Sequence, residues 1–464
     1  MIGAGSGGLS VAAIAASFGV PVVLVERGRM GGDCLNVGCV PSKALIAAAD
    51  RAHALQTADL FGMGAVAPSV DMVRVREHVR GVIAAIAPND SAERFSALGV
   101  RVIRAEARFV DSRTVVAGPH RIRARRFVLA TGSEPAPPPI PGLAETPHLT
   151  NETVFDLAET PEHLLIIGGG PIGVELAQAH RRLGARVTIV EAARLLGRDD
   201  PEMAAVIQRA LLAEGVALRL GTTIDRVEAR DGRLALHLGD ETLEGSHLLV
   251  AAGRRPVVER LGLDAAGVRH DRTGIVVDGG LRTTNRRVYA IGDCAGDGAG
   301  PYRFTHVSNY HAGLVIRSAL FRLPVRVRPD LIPRVTYTDP ELAAVGLSEE
   351  EARARHGAVR ILRWPVSEND RAQAERRTAG HAKAVVTPRG TILGCAVAAP
   401  NAGDLILPWA LALAKGLKVQ DLAGLVFPYP TLSEVSKRTA VEFLRPSAGN
   451  PWLRRLIGVS RRLG

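Results

Sequence analysis

Two cysteines stand four residues apart in Cys34-Leu-Asn-Val-Gly-Cys39, and Val-Pro-Ser-Lys43 follows at once. Thiols at this spacing beside a nucleotide-binding glycine turn suit a disulfide that is broken and re-formed during turnover. A structural disulfide would close a longer loop, because short loops gain less chain entropy. A zinc site would show tighter spacing and a second ligand pair. Two buried thiols at a helix start is the plainer reading of the spacing alone. The glycine motifs on either side of the chain favour redox chemistry. Pro41 suits the first turn of a helix beginning near Cys39. A thiolate at a helix N-terminus is stabilised by the dipole and free N–H groups. Lys43 lies one turn further along the same face.

Elements to position these groups are legible. Gly3-Ala-Gly5-Ser-Gly7-Gly8 matches G-x-G-x-x-G at Gly3, Gly5 and Gly8. A helix over Leu9–Phe18 and a strand over Val20–Val25, ending in Glu26, complete a βαβ dinucleotide unit. Its helix N-terminus faces a pyrophosphate and its acid takes ribose hydroxyls. The pattern recurs: strand Leu164–Ile167, glycines Gly168, Gly170 and Gly173, helix Val174–Leu183, and strand Arg186–Val190 ending in Glu191. Glu191 favours a free 2′-hydroxyl and hence NAD(H). Arg194 and Arg198 just downstream leave NADP(H) open. The first motif begins at residue 3, so its entering strand is almost absent, as though the start were truncated or misplaced. The loss of a central strand predicts weak stability or cofactor retention.

The chain has 464 residues, more than one core normally serves. No secretory leader and no membrane-length apolar run is visible, which predicts a cytoplasmic protein. Net charge is +11, yet only five basic residues are lysines and the arginines are scattered, which argues against nucleic acid as partner. The charge instead helps draw in anionic cofactors.

Taken together, these motifs resemble the class I pyridine nucleotide-disulfide oxidoreductases, a family that includes dihydrolipoyl dehydrogenase, mercuric reductase, glutathione reductase and the soluble transhydrogenase. Gly31 to Lys43 looks like their redox segment, Ala130-Thr131-Gly132 and Tyr289-Ala-Ile-Gly292-Asp293 like their FAD segments, and Tyr337 to Gly346 like the start of their dimerisation domain. The resemblance implies an α/β fold with two Rossmann-like domains, for FAD and NAD(P), and an α+β dimerisation domain. The implied boundaries are 1–146 and 262–330 for FAD, 147–261 for NAD(P), 331–446 for the homodimer interface and 447–464 for a tail. It also implies that Cys39 is the flavin-proximal sulfur, Cys34 the exchange sulfur, Lys43 a flavin neighbour paired with Glu175, and Asp293 a ribityl contact. Pro135–Pro141 fits the connection out of the first FAD segment.

Phe427-Pro-Tyr429-Pro-Thr-Leu-Ser-Glu434 resembles the segment where dihydrolipoyl dehydrogenase places its His–Glu proton relay, here with tyrosine in place of histidine. A phenol of pKa about 10 is a poor base at neutral pH. Tyrosine there is more like mercuric reductase or the transhydrogenase. The former usually carries a terminal vicinal cysteine pair, which this sequence lacks, and the latter lacks the complete redox pair, which this sequence has. The resulting expectation is an NADH-dependent reductase of a disulfide or thiol-reactive acceptor, mercuric-reductase-like. Dihydrolipoyl dehydrogenase, a transhydrogenase or diaphorase, and a degenerate non-catalytic flavoprotein are the alternatives.

Cys294 and Cys395 read as buried free thiols; His306 lies where the resemblance puts the approach to the flavin, and a satisfied core histidine is the favoured reading of it. In residues 451–464, Trp452, Leu453, Leu456, Ile457, Val459 and Leu463 fall on one helical arc and four arginines opposite. Packing on its own domain or a frayed end is the expected state of this tail, with weak contact to an anionic membrane as the alternative.

Overall fold

The computed structural model describes residues 1–230 and 232–462; Leu463 of the expected apolar arc lies outside them. The first unit is built on a parallel sheet in the order Val100–Arg104, Val22–Glu26, Ile2, Phe127–Leu129, Val288–Ala290. As expected, the entering strand is almost absent, reduced to a single bridged residue. Ile2 bridges Val25 and Leu129. Four backbone hydrogen bonds serve the short segment: Ile2 N to Val128 O (3.0 Å), Gly3 N to Val25 O (2.9 Å), Val25 N to Met1 O (2.9 Å) and Ala130 N to Ile2 O (2.8 Å). The backbone pairing demanded of a buried strand is thus made by its last residues alone.

The second unit repeats the plan: Ala217–Leu220, Arg186–Glu191, His163–Ile167 and His247–Val250 lie parallel. Leu164, Leu165 and Ile166 are wholly buried, as expected of a strand covered on both faces. Both nucleotide-turn helices start earlier than expected. They run Ser6–Ser17 and Pro171–Arg182, capped by Gly5 and Gly170, because the last glycines of each motif are already helical and Pro171 suits a first turn. The strand expected from Val20 runs Val22–Glu26. The third unit is an antiparallel sheet ordered Arg334–Thr336, Glu341–Gly346, Ile392–Ala399, His381–Val386, Arg360–Pro365. Buried Trp409, whose indole N–H donates to Ser436 Oγ at 3.1 Å, anchors the helix Leu407–Lys415 in its core.

The helix Pro171–Arg182 carries Glu175, Gln178 and Arg182 at i, i+3 and i+7, one stripe of a helix. All three are buried between the units. Arg182 bonds Asp50 of the helix Cys39–Gln56 (2.6 Å), Glu214 (2.7 Å) and Asp339 of the third unit (3.0 Å). Gln178 Nε2 donates to Asp339 O at 2.9 Å, and its Oε1 accepts from Asp339 N at 2.7 Å. A second lock is Lys383, only 4% exposed, whose ammonium meets Asp200 (2.8 Å), Glu202 (2.8 Å) and Glu349 (2.9 Å).

Removing Lys383 takes the ammonium from buried Asp200, while Glu202 and Glu349 keep Arg363, so Lys383→Met is expected to cost about 3 kcal/mol, measured by chemical denaturation. Arg363 and Lys383 hold the Glu202 carboxyl down at about 2, from an ordinary 4.5. Its contribution to stability is therefore present above about pH 4.5 and is lost as pH falls towards 2; in the Glu202→Gln protein that part of the acid dependence should disappear.

Candidate redox site

A cleft of about 1540 Å³ runs between the units and is lined by both glycine turns, both redox-segment cysteines, Lys43, Glu175 and Asp293. Pockets for one small ligand span roughly 300–1,000 Å³, so this volume suits larger or paired ligands.

The two turns are built alike. Gly3 and Gly168 have φ of +99° and +112°, a conformation that L side chains rarely adopt. A Cβ on Gly8 would lie 1.9 Å from Gly3 O, and one on Gly173 would lie 2.0 Å from Gly168 O. Glu26 accepts from Ala4 N (2.6 Å) and Gly28 N (2.7 Å), and Glu191 accepts from Gly169 N (2.7 Å) and Ala193 N (2.9 Å). Each acid thus braces its own turn from the cleft wall. Neither helix start has a side-chain cap, which leaves backbone N–H groups for an anion. These cradles fit two dinucleotides. Arg194 and Arg198 both line the cleft, and Arg194 is folded onto the carbonyls of Gly197 and Asp199, both at 2.7 Å. Thr131 Oγ1 donates to Val257 O at 2.6 Å, and Gly132 takes a positive φ beside it. Asp293 accepts from Ser133 Oγ at 2.6 Å.

The cysteine segment rests directly on the first turn. A Cβ on Gly32 would come within 2.7 Å of Gly5 Cα. Cys34 sits in the short helix Gly32–Asn36, and Cys39 opens the helix Cys39–Gln56 with its side chain exposed to the cleft. Cys39 is pulled down to about 6 by its pairing with the Cys34 thiol, by the Thr305 hydroxyl 3.4 Å away and by the charge of Lys43, against the cost of burial. Cys34 is pushed above the ordinary thiol range by the same pairing and by burial.

Lys43 Nζ lies 2.7 Å from Glu175 Oε2 and 4.1 Å above the Tyr337 ring. Glu175 Oε1 accepts from Tyr337 N at 3.0 Å. The implied Lys43–Glu175 pair is therefore present, and the third unit helps hold it.

Other expected site residues are placed elsewhere. Tyr429 and Glu434 are absent from the lining of their own chain's cleft. Tyr429 is 70% exposed, and its hydroxyl donates to Asp370 Oδ2 at 2.9 Å, which raises its pKa. His306 is not a core histidine: it is exposed on the cleft wall, stacked on Phe304, with Nε2 2.8 Å from Pro333 O. Cys294 and Cys395 are buried as expected. Among the described residues, no cluster of three or more His, Cys, Asp or Glu side chains is arranged for a metal.

Two participants were missed from the sequence. Thr305, at the start of the helix Thr305–Ala319, contacts Cys39; its neighbour His306 drew the reading instead. Arg254 bonds Asp33, which precedes Cys34, and also Ser133 Oγ (2.8 Å) and Asn151 Oδ1 (3.1 Å). Asn151 in turn donates to Val37 O at 3.0 Å. One guanidinium thereby braces both ends of the cysteine turn from 221 residues away. No local pattern signals this.

Residues 1–313 match the family model described as pyridine nucleotide-disulphide oxidoreductase, and residues 332–440 match the dimerisation domain of the same family. The chain is 36% identical over 450 residues to a mercuric reductase of Bacillus cereus, covering 96% of this chain and 71% of that protein. It is 37% identical to a mercuric reductase of Streptomyces lividans, covering 96% and 95%, and 34% identical to a dihydrolipoyl dehydrogenase of Geobacillus stearothermophilus, covering 95% and 94%. Among solved structures, a Cu(II) complex of the HOCl-induced flavoprotein disulfide reductase RclA from Escherichia coli superposes with a TM-score of 0.84 at 29% identity, covering 94% and 97%.

Thr305→Val removes a hydrogen bond to a thiolate. It is expected to raise the midpoint for iodoacetamide alkylation of Cys39 in the reduced protein from about 6 by about one pH unit. An unmoved midpoint would remove Thr305 from the site. Arg254→Lys, which cannot brace three partners in one plane, should slow reduction of the disulfide while leaving flavin content intact.

Proposed function

This chain belongs to the pyridine nucleotide-disulphide oxidoreductases, FAD-dependent enzymes that use NAD(P)H, and within that family we propose that it reduces a disulfide or a thiol-reactive soft metal ion through Cys34 and Cys39. The observation that carries the reading is geometric: Cys34 and Cys39 line one cleft with both nucleotide turns, and the Lys43–Glu175 pair and the Thr305 hydroxyl stand beside Cys39. Bound FAD supplies two electrons drawn as hydride from the nicotinamide.

The protein's part is to receive them. Two electrons and one proton convert the Cys34–Cys39 disulfide into a Cys39 thiolate and a Cys34 thiol. Lys43, held by Glu175, and Thr305 stabilise the thiolate. Cys34 attacks one sulfur of an acceptor disulfide; a mixed disulfide forms, the acceptor S–S bond breaks, and the Cys34 proton leaves with the departing sulfur as a thiol. Cys39 then attacks Cys34, releases the second thiolate and restores the internal disulfide. A thiophilic metal ion would instead be captured by the sulfurs. The mercuric reductase relatives favour that acceptor class, and the Cu(II)-bound neighbour is in keeping with it.

Glu191 on the cleft wall, with Arg194 engaged elsewhere, supports NADH over NADPH. A homodimer is the arrangement in which Tyr429 and Glu434, outside their own cleft, reach a partner's. The Asp370 bond keeps Tyr429 a phenol, which speaks against the dihydrolipoyl dehydrogenase reading, since that reaction needs a base at neutral pH. No described helix is long and apolar enough to cross a membrane, and a dithiol kept reduced suits the cytoplasm.

Anaerobic titration of the flavin-loaded protein with NADH tests the reading. At two equivalents of electrons a long-wavelength thiolate–flavin band should appear and fade as pH falls through about 6. Cys34→Ser should lower reduction of Hg(II) and small disulfides by about 10³-fold or more, while ferricyanide reduction persists. Flavin bleaching with no band, and acceptor turnover indifferent to Cys34, would favour the transhydrogenase or diaphorase alternative instead.

A further inference from the structure

The helix Pro451–Ser460 overturns the expectation that the tail packs on its own domain. Asn450 caps it, accepting from Trp452 N at 2.9 Å, and Pro451 takes the first position, so its start is well specified. Yet none of its residues is buried. Trp452 is 80% exposed and Leu456 66%, and Leu453, Ile457 and Val459 are exposed as well. Its main neighbour is the adjoining turn Arg445–Gly449, to which Arg454 is tied through Ala448 O at 2.7 Å.

These five apolar side chains cover an arc of about 160°, and Arg454, Arg455, Arg461 and Arg462 fill the rest. No Asp or Glu follows Glu442, so nothing in this segment neutralises the arginines. A ten-residue helix is about 15 Å long, half of what spanning a bilayer requires. Packed helix against helix, a second copy of this chain would bring the same uncompensated basic segment. An anionic lipid surface offers what the helix lacks on both sides: an apolar layer for Trp452, Leu456 and Ile457, and headgroup charge for arginines that flank the arc on long aliphatic stems.

We infer that the helix Pro451–Ser460 is a peripheral membrane-docking element that seats the enzyme, reversibly, on anionic lipid. A single short helix supports weak binding, strongly dependent on salt and lipid charge.

The test is co-sedimentation of the full-length, flavin-loaded protein with phosphatidylcholine vesicles, with and without roughly a quarter of phosphatidylglycerol. The wild type should pellet with the anionic vesicles, and each arginine replaced among Arg454→Gln and Arg455→Gln should weaken partitioning about fivefold. The paired change Leu456→Glu and Ile457→Glu should reduce it to the level of neutral vesicles. NADH–ferricyanide activity equal to wild type would show that this variant is folded. The inference is overturned if the wild type ignores anionic vesicles, if neutral vesicles bind it equally, or if the paired variant binds undiminished. Loss of the dimer in sedimentation velocity, without any vesicle binding by the wild type, would assign the helix to contact between copies and also overturn it.

Discussion

Everything in the cleft hangs on a buried polar stripe along one helix. Glu175, Gln178 and Arg182 face inward where three units meet: Glu175 reaches Lys43 and Tyr337, while Gln178 and Arg182 share Asp339 and Glu214 and Arg182 also reaches Asp50. A buried charge is costly unless it is paired and its remaining hydrogen-bonding capacity is met. That requirement makes the stripe a registration device, because the pairs are satisfied only when the redox helix, the second nucleotide unit and the third unit sit in one arrangement. Such networks add little net stability over an apolar contact, but they tolerate few alternatives. Here the arrangement they select places a lysine charge beside Cys39.

The duplicated nucleotide turns show one local solution used for two ends. In each, a positive-φ glycine, a glycine that no Cβ could replace and a strand-end carboxylate bonded to two backbone N–H groups produce the same cradle. What separates them is the neighbour. Gly32 lets the cysteine segment lie against Gly5 of the first turn, and the second turn has no such partner among the residues described. Proximity to the thiols is thereby set by packing of one loop on another, while the turn itself is generic.

The arginine-rich composition has a structural outlet as well as an electrostatic one. Arg182, Arg334 and Arg363 each cross from one unit to another and end on carboxylates: Arg334 on Asp199 at 2.9 Å, Arg363 on Glu202 at 2.7 Å. A planar guanidinium can hold several acceptors at once, which suits junctions where three elements converge. Four further arginines, Arg454, Arg455, Arg461 and Arg462, lie in or just after the helix Pro451–Ser460, and no Asp or Glu follows Glu442.

Local chemistry was legible without the fold. Glycines at fixed offsets, followed by a helix and an acid-ended strand, suit turns that bring backbone near a phosphate, and a cysteine followed two residues on by proline suits a helix start, so the local shapes of Gly3 to Glu26, Gly168 to Glu191 and Cys39 to Lys43 followed from short-range sterics, while the roles of the two cysteines and Lys43 came from the family resemblance. The near-absence of the first strand was legible too, whereas the two neighbours that Ile2 bridges were not, since they are set by long-range pairing. Thr305, Arg254 and the exposure of His306 were illegible because they depend on segments brought together from more than 200 residues apart or on the shape of a cleft wall. The polar stripe shows the limit most clearly: Glu175, Gln178 and Arg182 would read as a solvated helix face by spacing alone. Sequence by itself determined which turns and thiols exist, since these follow from covalent geometry over a few residues. Only tertiary structure decided which charges face one another, because burial and long-range pairing are properties of the assembled units.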